Sequence, residues 1–133
     1  MNLIPAHRAN EEELEQFLGK NSHLNKKPLL LKGYVVEIGE KIEGCFVLEE
    51  MESGIYWLKQ LHITQTEANK LPVLLEAILQ LAKKQQAKTV FVHSHQPVVD
   101  LLLEALQFHP QKENLYVDKY RAEEGSWWSY QVS

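Results

Sequence analysis

Between residues 57 and 108 the chain reads strand, loop, helix, strand, helix, and few folds accommodate that succession. The first strand, residues 57–64, alternates and carries Leu58, Leu61 and Ile63. From about residue 71 to 84, Leu71, Leu74, Leu75, Ile78, Leu81 and Ala82 recur at i, i+3, i+4, i+7, i+10 and i+11. That is a broad apolar stripe of helical period. In the second strand, residues 89–93, Thr-Val-Phe-Val (89–92) is a short run without alternation, as a strand covered on both faces would be. A last helix is expected from about residue 97 to 106. Strand, crossover helix and buried strand make a βαβ unit, with parallel strands and a right-handed crossover. Ligands of such units bind at the carboxyl ends of the strands, here residues 62–69 and 93–96.

The flanking segments add strands. Residues 3–7 fit a short edge strand, since Pro5 is tolerated only at an edge. Asn10 caps a helix, with Glu13 at the third position as in a capping box. Leu14, Phe17 and Leu18 face inward, and Gly19 is expected to end that helix. Residues 21–27 read as a polar loop with an exposed His23. Residues 29–31, 34–37 and 42–48 read as strands in antiparallel hairpins, turning at 38–41. Glu49, Glu50 and Glu52 with Gly54 make the next turn, either a solvated acidic cluster or an attraction for an amine. Beyond the βαβ unit come a turn at 110–114 and strands at 115–120 and 127–132. Trp127, Trp128 and Tyr130 read as core and strand-pair residues rather than a base-stacking platform. The order β-α-βββ-α-β-α-ββ describes an α/β (α+β) protein. It is expected to be a single domain over residues 1–133, with a mixed, mostly antiparallel central sheet and helices on its faces.

Composition narrows the function. A net charge of −4 argues against binding nucleic acid or an anionic membrane. The lone cysteine, Cys45, rules out an internal disulfide and a cysteine-based zinc site, and reads as a small buried hydrophobe. Without a cationic leader or a long apolar run, a cytoplasmic location is expected. His62, His93 and His95 lie near the strand ends beside Ser94 and Gln96. His93 and His95 share a face if the strand persists, but further metal ligands are not evident and no metal is expected. Imidazole titrates near neutrality, so His62 and His93 are candidates for acid or base chemistry as well as for packing at a strand end. Tyr116 and Tyr120 are further candidate proton donors.

Several ordered segments carry a resemblance. They are Val35-Val36-Glu37-Ile38-Gly39-Glu40-Lys41-Ile42-Glu43-Gly44, Leu58-Lys59-Gln60-Leu61-His62-Ile63, Leu74-Leu75-Glu76-Ala77 through Lys83-Lys84, and Leu102-Leu103-Glu104-Ala105-Leu106-Gln107-Phe108. In this order they resemble strands two to four, the third helix and the Leu-Tyr-Glu-Lys-Leu-Gly-Phe segment of the GNAT superfamily of N-acetyltransferases. The resemblance covers nearly the whole chain. It implies acetyl-CoA as cofactor and a small-molecule or protein amine as acceptor.

In that family a loop of pattern Arg/Gln-x-x-Gly-x-Gly/Ala wraps the pyrophosphate of coenzyme A, using glycine freedom and helix-start N–H groups. Here Thr66, Asn69 and Leu71 stand at those positions. The resemblance therefore implies cofactor contacts from Ile63, Gln65, Asn69, Lys70 and Gln96. A backbone N–H near residues 63–65 would polarise the thioester, Asn69 would take a left-handed conformation, and Gln96 would replace an asparagine before the last helix. The family's tyrosine acid corresponds to Leu103 and its strand-four carboxylate to Trp57. The catalytic candidates are then His62, His93 and Tyr116. Two readings stay open: an acetyltransferase with a degenerate cofactor loop, or a non-catalytic protein of the same fold that binds a partner or small ligand in the strand-splay groove. The aromatic C-terminal strand suits a homodimer contact.

Overall fold

The computed structural model describes residues 1–94, 97–111 and 126–132. Its strands are β1 (Asn2–Pro5), β2 (Gly33–Ile38), β3 (Lys41–Glu52), β4 (Ile55–Ile63), β5 (Thr89–Ser94), β6 (His109–Gln111) and β7 (Ser126–Gln131). Its helices are α1 (Glu11–Lys20), α2 (Lys26–Lys32), α3 (Leu71–Lys84) and α4 (Pro97–Ala105), with 3-10 segments at Ala6–Arg8 and Gln65–Lys70. Among the described residues the seven strands follow the order β1-β2-β3-β4-β5-β7-β6 in one sheet. The pairs β1–β2, β2–β3, β5–β7 and β6–β7 are antiparallel. The mostly antiparallel sheet expected from the sequence is present. Contacts group the chain into two compact units, Met1–Glu49 with Leu58–Leu71, and Glu50–Trp57 with Pro72–Ser133.

In the first unit, the Asn10 side chain accepts a hydrogen bond from the Glu13 N–H at 3.0 Å, as the capping pattern requires. Leu14 and Phe17 are buried. Gly19 does not end α1; the helix runs on to Lys20. Asn21 stops it instead, donating from Nδ2 to the Phe17 carbonyl at 2.8 Å and from its backbone N–H to Leu18 at 3.1 Å.

Leu29-Leu30-Leu31 is helical, not a strand. Pro28 sits in the first turn of α2, where its missing N–H costs nothing. Leu29 turns inward while Leu31 is 70% exposed. The chain then passes directly into β2 at Gly33, where a Cβ would stand 2.5 Å from the Leu29 carbonyl oxygen. Gly39 and Glu40 (φ 58° and 64°) join β2 to β3 with both turn residues left-handed, as in a type I′ hairpin. Ala6, Leu14, Phe17, Leu29, Val35, Cys45 and Val47 form one core cluster.

In the second unit, Glu50 and Glu52 belong to β3, so the turn is only Ser53-Gly54. The Gly54 carbonyl accepts from Lys88 N at 2.7 Å and Thr89 N at 3.1 Å, which anchors the start of β5. Helix α3 has the expected bounds, and Leu74, Leu75, Ile78 and Ala82 are buried on its stripe. Val90, Phe91 and Val92 are consecutively buried in β5, the pattern of a strand covered on both faces. Trp127 and Trp128 of β7 are buried as core residues, and Trp128 Nε1 donates to Asp100 Oδ1 of α4 at 2.9 Å. Pro110 does not open a turn. It lies in β6 opposite Trp128, at the end of the strand order, where a missing ladder N–H is tolerated. The strand expected at 115–120, with Tyr116 and Tyr120, lies outside the described residues.

Candidate functional site

Helical spacing puts Glu13, Gln16, Phe17 and Lys20 on one stripe of α1 at i, i+3, i+4 and i+7. In β3 the ladder with β2 pairs Gly44 with Val36 and Ile42 with Glu37, so Glu43 is the extra residue of a bulge beside Lys41 and Ile42. With His62 at the end of β4 and Thr64 and Gln65 just beyond it, they line a cleft of about 680 Å³ within the first unit.

His62 is half-buried at the floor. Its ring lies 5.9 Å from that of Phe17 and meets His23 edge-on at 5.2 Å. Burial, and secondly the neighbouring His23, lower its pKa from the ordinary 6.5. Near neutrality the ring is therefore uncharged and can accept a proton or a hydrogen bond. Strands β3 and β4 approach closely here: a Cβ on Gly44 would stand 2.6 Å from the His62 carbonyl oxygen. Thr64 N donates to the Glu43 carbonyl at 2.8 Å, and Thr64 Oγ1 donates to Glu43 Oε2 at 3.3 Å. That pair of bonds orients the Glu43 carboxylate.

Glu13, Lys20 and Lys41 are exposed at the rim, and Glu43 is half-buried. The ion pairs among the described residues are Lys26–Glu15, Lys59–Glu49 and Lys70–Glu67, so the four cleft charges enter none of them. Glu49 is neutralised by Lys59 at 2.5 Å, and Glu50 Oε2 accepts from Gly54 N at 3.3 Å. Both carboxylates already have partners within the chain.

Gln60 ties β4 to the start of α2. It is left-handed (φ 53°) inside β4, as a bulge residue is. Its side-chain amide accepts from Asn25 N at 2.6 Å and donates to Asn25 O at 3.3 Å, so it clasps the backbone at the start of α2. The odd spacing of Leu58 and Leu61 in an alternating strand was the signal for such an interruption.

The site residues expected from the sequence fall in different places. His62 and Gln65 line the cleft, and Ile63 is the adjoining last residue of β4. Asn69 and Lys70 lie on the 3-10 segment that follows. His93 belongs to the second unit, opposite Trp127 in the β5–β7 ladder, with ring centroids 4.9 Å apart. Leu103 is fully buried, and Trp57 packs 5.3 Å from Trp127. His95, Gln96 and Tyr116 lie outside the described residues. Among the described residues no three His, Cys, Asp or Glu side chains are grouped to hold a metal, and no helix is long and apolar enough to cross a membrane.

No family model matches the chain, and no curated protein matches its sequence. Solved structures match its fold. A GNAT-family acetyltransferase from Staphylococcus aureus Mu50 superposes over 99% of both chains, with a TM-score of 0.72 and 17% identity. Tetrahymena GCN5 covers 100% of this chain and 97% of its own, with a TM-score of 0.73 and 10% identity. The Campylobacter jejuni N-acetyltransferase PseH, solved in complex with acetyl coenzyme A, covers 99% of both chains, with a TM-score of 0.70 and 15% identity. The chain has the GNAT acetyltransferase fold.

Segment 65–70 does not match the diphosphate cradle that the resemblance implies. Glu67 N donates back to the Thr64 carbonyl at 3.0 Å, and Leu71 N to Ala68 O, which turns these N–H groups inward. The left-handed non-glycine residues among those described are Glu40, Gln60, Gln86 and Gln107, so Asn69 does not adopt the expected conformation. The Lys70 ammonium is held by Glu67 at 2.8 Å. Pro72 removes a further N–H from the first turn of α3. A phosphate here would meet a carboxylate and few available donors.

Proposed function

We propose that the protein uses the acetyltransferase fold to bind an amine in the His62 cleft, without coenzyme A. The observation that carries this reading is the pairing of a neutral, half-buried imidazole with two carboxylates outside any described ion pair, Glu13 and Glu43. The carboxylates attract an ammonium group, and a neutral ring adds an acceptor without repelling it. Thr64 holds one of the two carboxylates, that of Glu43, by a hydrogen bond to Oε2.

A second reading is acetyl-CoA-dependent N-acetyl transfer to a small-molecule or protein amine in this cleft. Full-length likeness to solved acetyltransferases, one of them holding acetyl coenzyme A, favours it. Isothermal titration with acetyl-CoA and with coenzyme A decides between the two. The first reading expects no binding at millimolar cofactor, together with perturbation of the His62 ring resonances by n-hexylamine. Micromolar cofactor binding followed by acetylation in an amine screen establishes the second.

A further inference from the structure

Resting on the amine reading, we infer that the ligand of the His62 cleft is a zwitterion, with an amine and a carboxylate held several ångströms apart. The cleft is not uniformly acidic. Each of its two principal walls presents one acid and one base: Glu13 and Lys20 on α1, Lys41 and Glu43 on β3. Along α1 the two charges are separated by a rise of roughly 10 Å. Along β3 they are separated by at most about 7 Å. None of the four enters an ion pair among the described residues.

A simple cation entering this cleft would meet two lysines as well as two carboxylates, and a simple anion would meet the reverse. A molecule that carries both charges satisfies both sets. The volume of about 680 Å³ is ample for a dipeptide or an ω-amino acid. His62 lines the same cleft, and its backbone carbonyl adjoins Gly44, the residue after Glu43, so the amine end belongs at Glu43. The carboxylate end belongs with Lys20 and Lys41, both exposed and able to reach it.

The test uses three probes of one length, ε-aminocaproate, n-hexylamine and hexanoate, titrated into the full chain and followed by the His62 ring resonances. The zwitterion is expected to bind about tenfold tighter than either monopolar probe, a difference of about 1.4 kcal/mol. The double variant Lys20→Met/Lys41→Met is expected to abolish that preference, because the carboxylate end loses both partners while hexylamine no longer meets two like charges and binds more tightly. Hexylamine binding as tightly as ε-aminocaproate overturns the zwitterion and leaves the amine reading standing. Hexanoate binding as tightly as the zwitterion, or no probe binding at all, overturns both. The variant residues are exposed, so the variant folds, and a matching circular dichroism melt confirms it.

Discussion

His62 is the residue whose environment says most about use. Folding lowers its proton affinity, so between the lowered pKa and 6.5 the unfolded chain binds more protons than the folded one. Stability therefore rises with pH through that window, is fully present above 6.5, and is lost as pH falls through the folded value. The variant His62→Gln should show a flatter dependence of melting temperature on pH between about 5 and 7 than the native chain. An unchanged slope would mean that the ring is not held neutral. Cys45 makes a complementary case. It is fully buried, its thiol donates to the Gln60 carbonyl at 3.6 Å, and burial pushes its pKa up to about 12. A thiol reagent such as DTNB should leave it untouched in the native state and titrate one equivalent in denaturant. Rapid native labelling would contradict the packing of the first core cluster.

At the scale of elements, α1 depends on a single cap. Replacing Asn10 by Ala removes the acceptor for Glu13 N–H and should cost about 1 kcal/mol, read from the urea midpoint. The β3–β4 contact is less forgiving. Gly44→Ala drives a methyl against the His62 backbone oxygen, where no flexible side chain can yield, and should cost about 1–3 kcal/mol. The same change should move the His62 ring resonances, because the strand that carries it must shift.

Elements also show what could be read in advance. Helix α3 was legible because six apolar residues keep one period over about three turns. Helix α2 was not, because three consecutive leucines fit either a strand or a short helix. What decides between them is Pro28 in the first turn, the contact of Gly33 with Leu29 and the burial of Leu29 in the first core cluster, and only the last is tertiary. The capping pattern at Asn10 was legible, whereas the end of α1 was set by the Asn21 side chain rather than by the glycine before it.

For the whole molecule, the order of elements pointed to the fold, and the solved structures bear that out at identities of 10% to 17%. The cleft was only partly legible. His62 could be named as a strand-end residue, but Glu13 and Lys20 come from one part of the chain and Lys41 and Glu43 from another, and no local spacing says that they meet. The fold alone would lead one to expect a cofactor response. The inward-turned segment 65–70 predicts otherwise: millimolar acetyl-CoA should leave the melting temperature unchanged. A rise of several degrees would show that the cofactor binds despite that segment.

The division into two units has a practical consequence for anyone watching this protein in solution. All three tryptophans, Trp57, Trp127 and Trp128, belong to the second unit, and the first contains none. Intrinsic tryptophan fluorescence thus originates in the second unit, and no tryptophan lines the His62 cleft. A negative tryptophan-fluorescence screen therefore does not count against a ligand in that cleft. Histidine resonances, or a tryptophan introduced at the exposed Gln16, would make the cleft visible.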